Sequence, residues 1–441
     1  MQGSKSVYMN IAIITDSFPP MIDGVSRCAL GYAQALHDGG YGEIIVITPK
    51  IPGLKYDYPF KVYGFPSVSI NYSHYRAGHP FIPYLARKLK KMKIDIIHAH
   101  SPFTSMLLAR QLRRLLDVPI VFTQHTKWHY DIAEAVSSNT LRREIERYAY
   151  MNIRAADEIW AVSKGAGEYL KSRGYKGDYF VVPSGSEVVH TEAQEDDSDA
   201  SVPSPCIKVM VKEKFSLPDG VPVLLFVGRM MWYKGIASII DALKLLRERG
   251  FEFRMIFVGD GEDFSEIKTV VTDYNLGDRI HFAGRISDRA ELMGYYSASD
   301  LFLFLSTYDT QGLVVQEAAA ASCPSLVPEE SAPAEFLEDG VTGFITKSDP
   351  AHVADKIESI FSDKAHLKTV GESASEHVYI PWERAIVKAA DRYRDVLRDY
   401  KANRRKTVRS KIKRTVKYRL IKVARAGKAG GTKLRLKVIG R

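Results

Sequence analysis

The chain has 441 residues, more than one ordinary domain holds, and its 45% hydrophobic and 26% charged residues suit a globular protein with several cores. The net charge of +10 is not spread evenly: residues 401–441 hold 17 Lys and Arg and no Asp or Glu, which leaves 45 basic against 52 acidic residues, or −7, elsewhere. Three scattered cysteines, Cys28, Cys206 and Cys323, speak against a disulfide framework or a zinc pattern, and no apolar run approaches the roughly 20 residues of a membrane helix.

Along the chain, IAIIT (11–15) reads as a buried strand, followed by the turn-rich DSFPPMIDGVS and a helix pattern from Arg27 to Leu36. The cycle recurs with IIVITP (44–49), DIIHAH (95–100), PIVFTQH (119–125), EIWAV (158–162) and YFVVP (179–183), with helix-length segments such as Thr104–Leu116 between several of them. Glu187 to Pro205 is rich in Glu, Asp, Ser and Pro, without apolar periodicity, and reads as a solvated linker or insertion. A second series of strands follows at 221–228, 253–259, 279–284, 301–306 and 324–328, with helices starting near Lys234, Asp263, Asp288, Gly312 and Ala334.

Strands alternating with helices imply parallel sheets, so the expected architecture is α/β, with two Rossmann-like lobes facing a cleft. The expected division is a first lobe at 9–186, the acidic linker at 187–205, a second lobe at 206–380, a helix at 381–400 and a basic tail at 401–441. Ligands in such sheets bind beyond the carboxyl ends of the strands, which makes the residues after each strand the candidates for chemistry.

Two such segments carry charge. Gly228-Arg229-Met-Met-Trp-Tyr-Lys234-Gly235 places two cations between a strand and a helix start, where free N–H groups and the helix dipole suit a diphosphate. Ser306-Thr-Tyr-Asp309-Thr310-Gln311-Gly312-Leu313-Val-Val-Gln-Glu317 is a second strand, glycine loop and helix. There Gly312 permits close backbone approach, Asp309 suits sugar hydroxyls, and Glu317, over a turn into the helix, suits ribose hydroxyls. A solvated turn and a solvated helix glutamate are the plainer alternatives.

Gly-Arg-x4-Lys-Gly followed by a carboxylate, seven residues and Glu resembles the donor site of family 4 glycosyltransferases, which have the two-lobed GT-B fold. Supporting segments are Asp23-Gly24-Val25-Ser26, Gln124-His125-Thr126, Val258-Gly259-Asp260-Gly261 and the Asp339-Gly340 to Gly343-Phe344 turn, so the resemblance spans nearly all of residues 9–398. It implies that Arg229 and Lys234 contact the donor diphosphate, that Glu317 holds the ribose, and that Asp309, Thr310, Gln311, Gly312 and Leu313 hold the transferred sugar. It further implies that the first lobe binds the acceptor and the second the nucleotide sugar, that Gly24 approaches the phosphates from the other lobe, that His125 sits near the anomeric carbon and the acceptor, and that the 381–400 helix returns to brace the first lobe. The family's first carboxylate is usually Glu where this chain has Asp309, and Ser331-Ala332-Pro333 replaces glycines found before a Glu such as Glu335.

His98 and His100 end a strand, alternating across it, at a spacing that metal ligands also use. No third ligand accompanies them, Asp197-Ser198-Asp199 falls in the linker rather than after a strand, and no metal or cofactor is expected beyond a nucleotide-diphosphate sugar as co-substrate. Asp-Thr-Gln-Gly-Leu, Pro183-Ser184-Gly185 and His125-Thr126 with Trp128, Tyr130 and Asp131 resemble most the enzymes that glycosylate diacylglycerol, and Ser69 to Arg76 looks like their acceptor-side loop. The implied activity is retaining transfer of a hexose to a membrane lipid or lipid-linked acceptor. Polysaccharide assembly, a nucleotide-sugar epimerase and a non-catalytic donor-binding protein remain the alternatives.

In the tail, Val408, Ile412, Val416, Leu420 and Val423 fall on one arc of a helix that is otherwise mostly Lys and Arg. Such a helix suits an anionic membrane surface better than nucleic acid, which is not expected as a partner; a disordered extension is the other option. Leu85, Leu89 and Met92 among Arg87, Lys88, Lys90, Lys91 and Lys93 offer a second basic surface or an ordinary packed helix. The expected location is the cytoplasm, peripherally at the inner face of the membrane.

Overall fold

The computed structural model describes residues 8–21, 23–69, 76–78, 82–187 and 205–404. Most of the expected linker (188–204), most of the acceptor-side loop (70–75) and the amphipathic tail from 405 onward lie outside the described residues. The chain divides into units Met1–Ala390 and Asp391–Arg441, and both sheets belong to the first. Residues 382–404 are helical.

Seven strands form the first sheet: β1 (Ile11–Ile14), β2 (Ile44–Pro49) and β3 (Lys61–Phe65), then, beyond the antiparallel pair β4 (Ser67–Ser69) and β5 (Arg76–Gly78), β6 (Ile96–Ala99), β7 (Ile120–Gln124), β8 (Glu158–Ala161) and β9 (Phe180–Val181). Their order is β3-β2-β1-β6-β7-β8-β9, parallel throughout. The second sheet contains β10 (Val223–Val227), β11 (Arg254–Val258), β12 (Ile280–Gly284), β13 (Leu301–Leu303), β14 (Ser325–Pro328) and β15 (Phe344–Thr346), in the order β12-β11-β10-β13-β14-β15, also parallel. Both sheets are doubly wound, as expected, and in both the order reverses beside the first strand, which opens a crevice at its carboxyl end.

Burial explains the strands. Every residue of β1, β2, β6 and β7 is buried, as in strands covered on both faces. The helix Ile236–Glu248 buries Ile236, Ile239, Ile240, Leu243 and Leu246, the spacing of one helical face against the sheet.

Elements that sequence patterning missed lie where that signal is weak. β3 has only Phe65 fully buried and a mixed pattern elsewhere, and β15 is a three-residue edge strand. The helix expected near Ala334 is instead a 3₁₀ turn, Ala332–Phe336, in which Pro333 suits the first turn and cannot continue a backbone ladder. Two further helices, Pro350–Phe361 and Lys364–His377, close the second lobe behind Asp349 and Asp363, whose side chains cap them. The basic helix, Pro83–Lys91, buries Leu85, Ala86 and Leu89 and exposes Arg87, Lys88, Lys90 and Lys91.

Candidate functional site

The crevice of the second sheet lies between the ends of β10 and β13, and the sequence-predicted cations and carboxylate come from those two ends. Arg229, exposed, follows β10; its guanidinium carbon stands 5.8 Å from the centre of the Tyr233 ring. Lys234 closes the 3₁₀ turn Trp232–Lys234 and is 9% exposed, with its ammonium 2.8 Å from both oxygens of Asp309. Asp309 follows β13 and also accepts the Ser306 hydroxyl at 2.6 Å. The rings of Tyr233 and Tyr308 stand 5.5 and 5.2 Å from the Lys234 nitrogen, so the pair sits against aromatic faces that attract a cation.

Two glycines make the turns. Gly235 and Gly312 are the residues before the helices Ile236–Glu248 and Leu313–Ala320, at φ of 78° and 71° in the left-handed region. A Cβ on Gly235 would collide with the Leu305 carbonyl, and one on Gly312 would lie 2.6 Å from Cγ of Pro333. Neither turn therefore admits a side chain without a shift. Pro333, where glycine was expected from the resemblance, closes directly over Gly312.

Glu317, on the helix Leu313–Ala320, is 2% exposed and accepts hydrogen bonds through both oxygens. One carboxylate oxygen accepts Arg27 at 3.1 Å and Arg289 at 2.9 Å, and the other accepts the Tyr296 hydroxyl at 3.1 Å. Desolvation opposes the charge on Arg289, yet the Glu317 carboxylate keeps its pKa above the usual range. Arg27 belongs to the first-lobe helix Gly24–Asp38, so this ion pair crosses between the lobes. Gly24 begins that helix behind the Asp23 cap, exposed, with open space where a side chain would stand.

The loop from Thr307 to Gln311 is clasped by the first lobe. Lys127 donates to the Thr307 carbonyl at 2.7 Å, the Thr310 hydroxyl donates to the His125 carbonyl, and the Ser163 hydroxyl donates to the Thr310 carbonyl. Gln311 brackets Ser184, accepting its amide at 3.0 Å and donating to its carbonyl at 2.8 Å. Glu335 accepts the Lys164 and Gly165 amides at 2.8 and 2.5 Å, at the start of the helix Lys164–Ser172, where a carboxylate meets the positive dipole end.

The first lobe's own crevice is built around three neutral imidazoles. His98, His100 and His125 cluster at the ends of β6 and β7, with ring centres 4.1 Å apart for the first two and 5.0 Å for the last two. Residues two apart on a strand point the same way, so His98 and His100 share a face rather than alternating across it. Their rings bond inside the cluster, His98 Nε2 to the Thr123 hydroxyl at 2.6 Å and His100 Nδ1 to His125 Nε2 at 2.8 Å. Burial lowers all three pKa values, that of His125 to about 3. Among the described residues no three His, Cys, Asp or Glu gather as metal ligands. Asp16, just after β1, accepts the Ser105 amide and hydroxyl at 3.0 and 2.8 Å through one oxygen, while its other oxygen is buried without a partner among the described residues. Burial raises its pKa to about 6.

The structure thus brings Arg229, Lys234, Asp309, Thr310, Gln311, Gly312, Leu313 and Glu317 together at one sheet edge, and it sets the His125 carbonyl against Thr310. Sequence reasoning missed Arg27, Lys127, Ser163, Arg289, Tyr296 and Asp16. Arg27 and Lys127 lie within or beside quoted motifs, a usable signal; Arg289 and Tyr296 carried none.

Residues 22–188 match the model of Glycosyltransferase Family 4, and residues 210–377 match that of Glycosyl transferases group 1. The chain belongs to glycosyltransferase family 4. Similar family members include the alpha-monoglucosyldiacylglycerol synthases of Acholeplasma laidlawii, 25% identical with 77% of this chain and 86% of the relative covered, and of Streptococcus pneumoniae, 24% identical with 72% and 70% covered. Among solved structures, HepE of Anabaena in complex with UDP and glucose superposes with a TM-score of 0.67 at 18% identity, covering 88% of this chain and 99% of that one. Sucrose-phosphate synthase of Thermosynechococcus elongatus reaches 0.70 at 20% identity, covering 89% and 100%. At these identities the likeness is one of fold, and the fold of this glycosyltransferase is GT-B.

Proposed function

We propose that this glycosyltransferase moves a hexose from a nucleotide-diphosphate sugar to a membrane lipid of the diacylglycerol class, with retention of anomeric configuration. The observation that carries it is the meeting of Arg229, Lys234, the Asp309 to Leu313 loop and Glu317 at the switch point of the second sheet, against His125 of the first. Arg229 and Lys234, rather than a metal ion, neutralise the departing diphosphate. Fixed donors of this kind are worth about 3 kcal/mol each in the transition state. Asp309 and the following amides hold the sugar, Glu317 the ribose, and Gly24 leaves the phosphates room from the other side. Retention follows when the leaving phosphate takes the proton of the incoming hydroxyl on the face it departs from.

The lipid acceptor draws support from the relatives named for monoglucosyldiacylglycerol synthesis, and the donor from the UDP and glucose of the Anabaena structure. The exposed Arg87, Lys88, Lys90 and Lys91 of the helix Pro83–Lys91 suit an anionic bilayer. No helix among the described residues is long and apolar enough to cross a membrane.

The test is a panel of labelled nucleotide sugars incubated with and without diacylglycerol vesicles. A lipid-extractable product that keeps the donor's anomeric configuration is expected. Donor turnover equal in both arms, or transfer only to soluble sugars, would overturn the lipid acceptor. Sedimentation with anionic vesicles should favour the full chain over one ending at Tyr400, and equal binding would reject the tail as an anchor.

A further inference from the structure

His125 does not stand alone at the end of β7. Its Nε2 faces His100 Nδ1 at 2.8 Å, and His100 Nε2 is buried without a hydrogen-bond partner among the described residues. Both rings are uncharged, since burial lowers their pKa values far below neutrality, so a single proton lies between the two nitrogens. If that proton belongs to His125, then His100 must carry its own on Nε2, a buried N–H with nothing to accept it. If it belongs to His100, the group left over on Nε2 is only a lone pair. Orphaned buried N–H groups are much the rarer of the two in folded proteins.

We propose that His100 is a positioning residue that donates its Nδ1 proton to His125 Nε2 and thereby fixes His125 as the neutral tautomer with its proton on Nδ1. The rings are held for this. His98 is tied to the Thr123 hydroxyl at 2.6 Å, and its ring centre lies 4.1 Å from that of His100. The Tyr32 ring stands edge-on to both, at 5.2 and 5.3 Å. An imidazole so arranged presents an uncharged N–H donor, not a base and not a cation. It can hydrogen-bond a sugar hydroxyl or the developing charge on a leaving oxygen without adding a full positive charge beside Lys234 and Arg229. That use rests on the placing of His125 beside the transferred sugar; the tautomer itself does not.

Ring nitrogen signals of protein labelled with 15N histidine test the tautomer directly, with His125 assigned by the signals lost in His125→Gln. A pyrrole-type signal at His125 Nδ1 and a pyridine-type signal at Nε2 are expected in the unaltered chain, and the reverse pattern overturns the proposal. In His100→Leu, folded as judged by its melting transition, the fixed pattern should give way to exchange between tautomers, and an unchanged pattern would also overturn it. His100→Asn, whose amide can donate from the position of Nδ1, should keep the His125 pattern and hold kcat within about 3-fold, while His100→Leu should lower kcat about tenfold or more at similar donor KM. Full activity in His125→Ala would remove His125 from the reaction, a result separate from the ring signals.

Discussion

The carboxyl edges of the two sheets share a topology and differ in material. In the second lobe the edge is charged and paired: Lys234 with Asp309, and Glu317 with Arg27, Arg289 and Tyr296. In the first it is built around three neutral imidazoles and is partly unsatisfied: one oxygen of the buried Asp16 carboxyl, Gln124 Oε1 and His100 Nε2 have no partners among the described residues. Charges held by fixed partners suit a ligand that arrives and leaves with a diphosphate. Neutral imidazole donors and acceptors suit a hydroxyl. Under the proposed function, the same doubly wound edge serves two ends of one reaction.

The contrast between the edges breaks most plainly at Lys234. Lys234→Ala removes a fixed cation and leaves Asp309 without its ammonium, and turnover should fall by roughly 100-fold or more, measured as initial rate at saturating donor. Unchanged turnover would detach the charged edge from the reaction.

Asp16 sharpens the other side. Burial raises its pKa from the ordinary 3.8 to about 6, so the folded protein binds this proton more tightly than the unfolded chain. Its contribution to stability is unaffected by pH below about 4, falls as pH rises to about 6, and stays low above that. Asp16→Asn keeps an acceptor for Ser105 and removes the titration, and its advantage should grow through that window to at most about 3 kcal/mol at pH 8. Denaturant melts at pH 4 and pH 8 measure it; a parallel offset at both would refute the titration. The smallest effect is expected between the edges. Gln311→Ala cuts both bonds to the Ser184 backbone and should cost about 1–2 kcal/mol in the same melts.

Much of this was legible beforehand because it is local. Continuous apolar runs of four or five residues identify β1, β2 and β10, shorter ones β6 and β7, and the glycine loops after β10 and β13 carry their motifs in consecutive residues. Other features were hidden because no local pattern encodes them. β3 and β15 are edge strands with little periodicity, and the sheet partner of His98 was needed to see Thr123 beside it. Arg289 and Tyr296 became part of the site only when the helix Arg289–Ala298 packed beside Glu317.

Sequence alone determined the two parallel-sheet lobes, the placing of Arg229, Lys234 and Asp309 after strands, and the glycine loop at 312. Each follows from periodicity, strand-end position or backbone freedom within a few residues. Tertiary structure decided what those groups touch: that Asp309 spends both oxygens on Lys234, that Arg27 reaches Glu317 across the lobes, and that three histidines close on one another without charge. Desolvation and hydrogen-bond partnership depend on which distant segments fill the surrounding space, and that is settled only when the chain has folded.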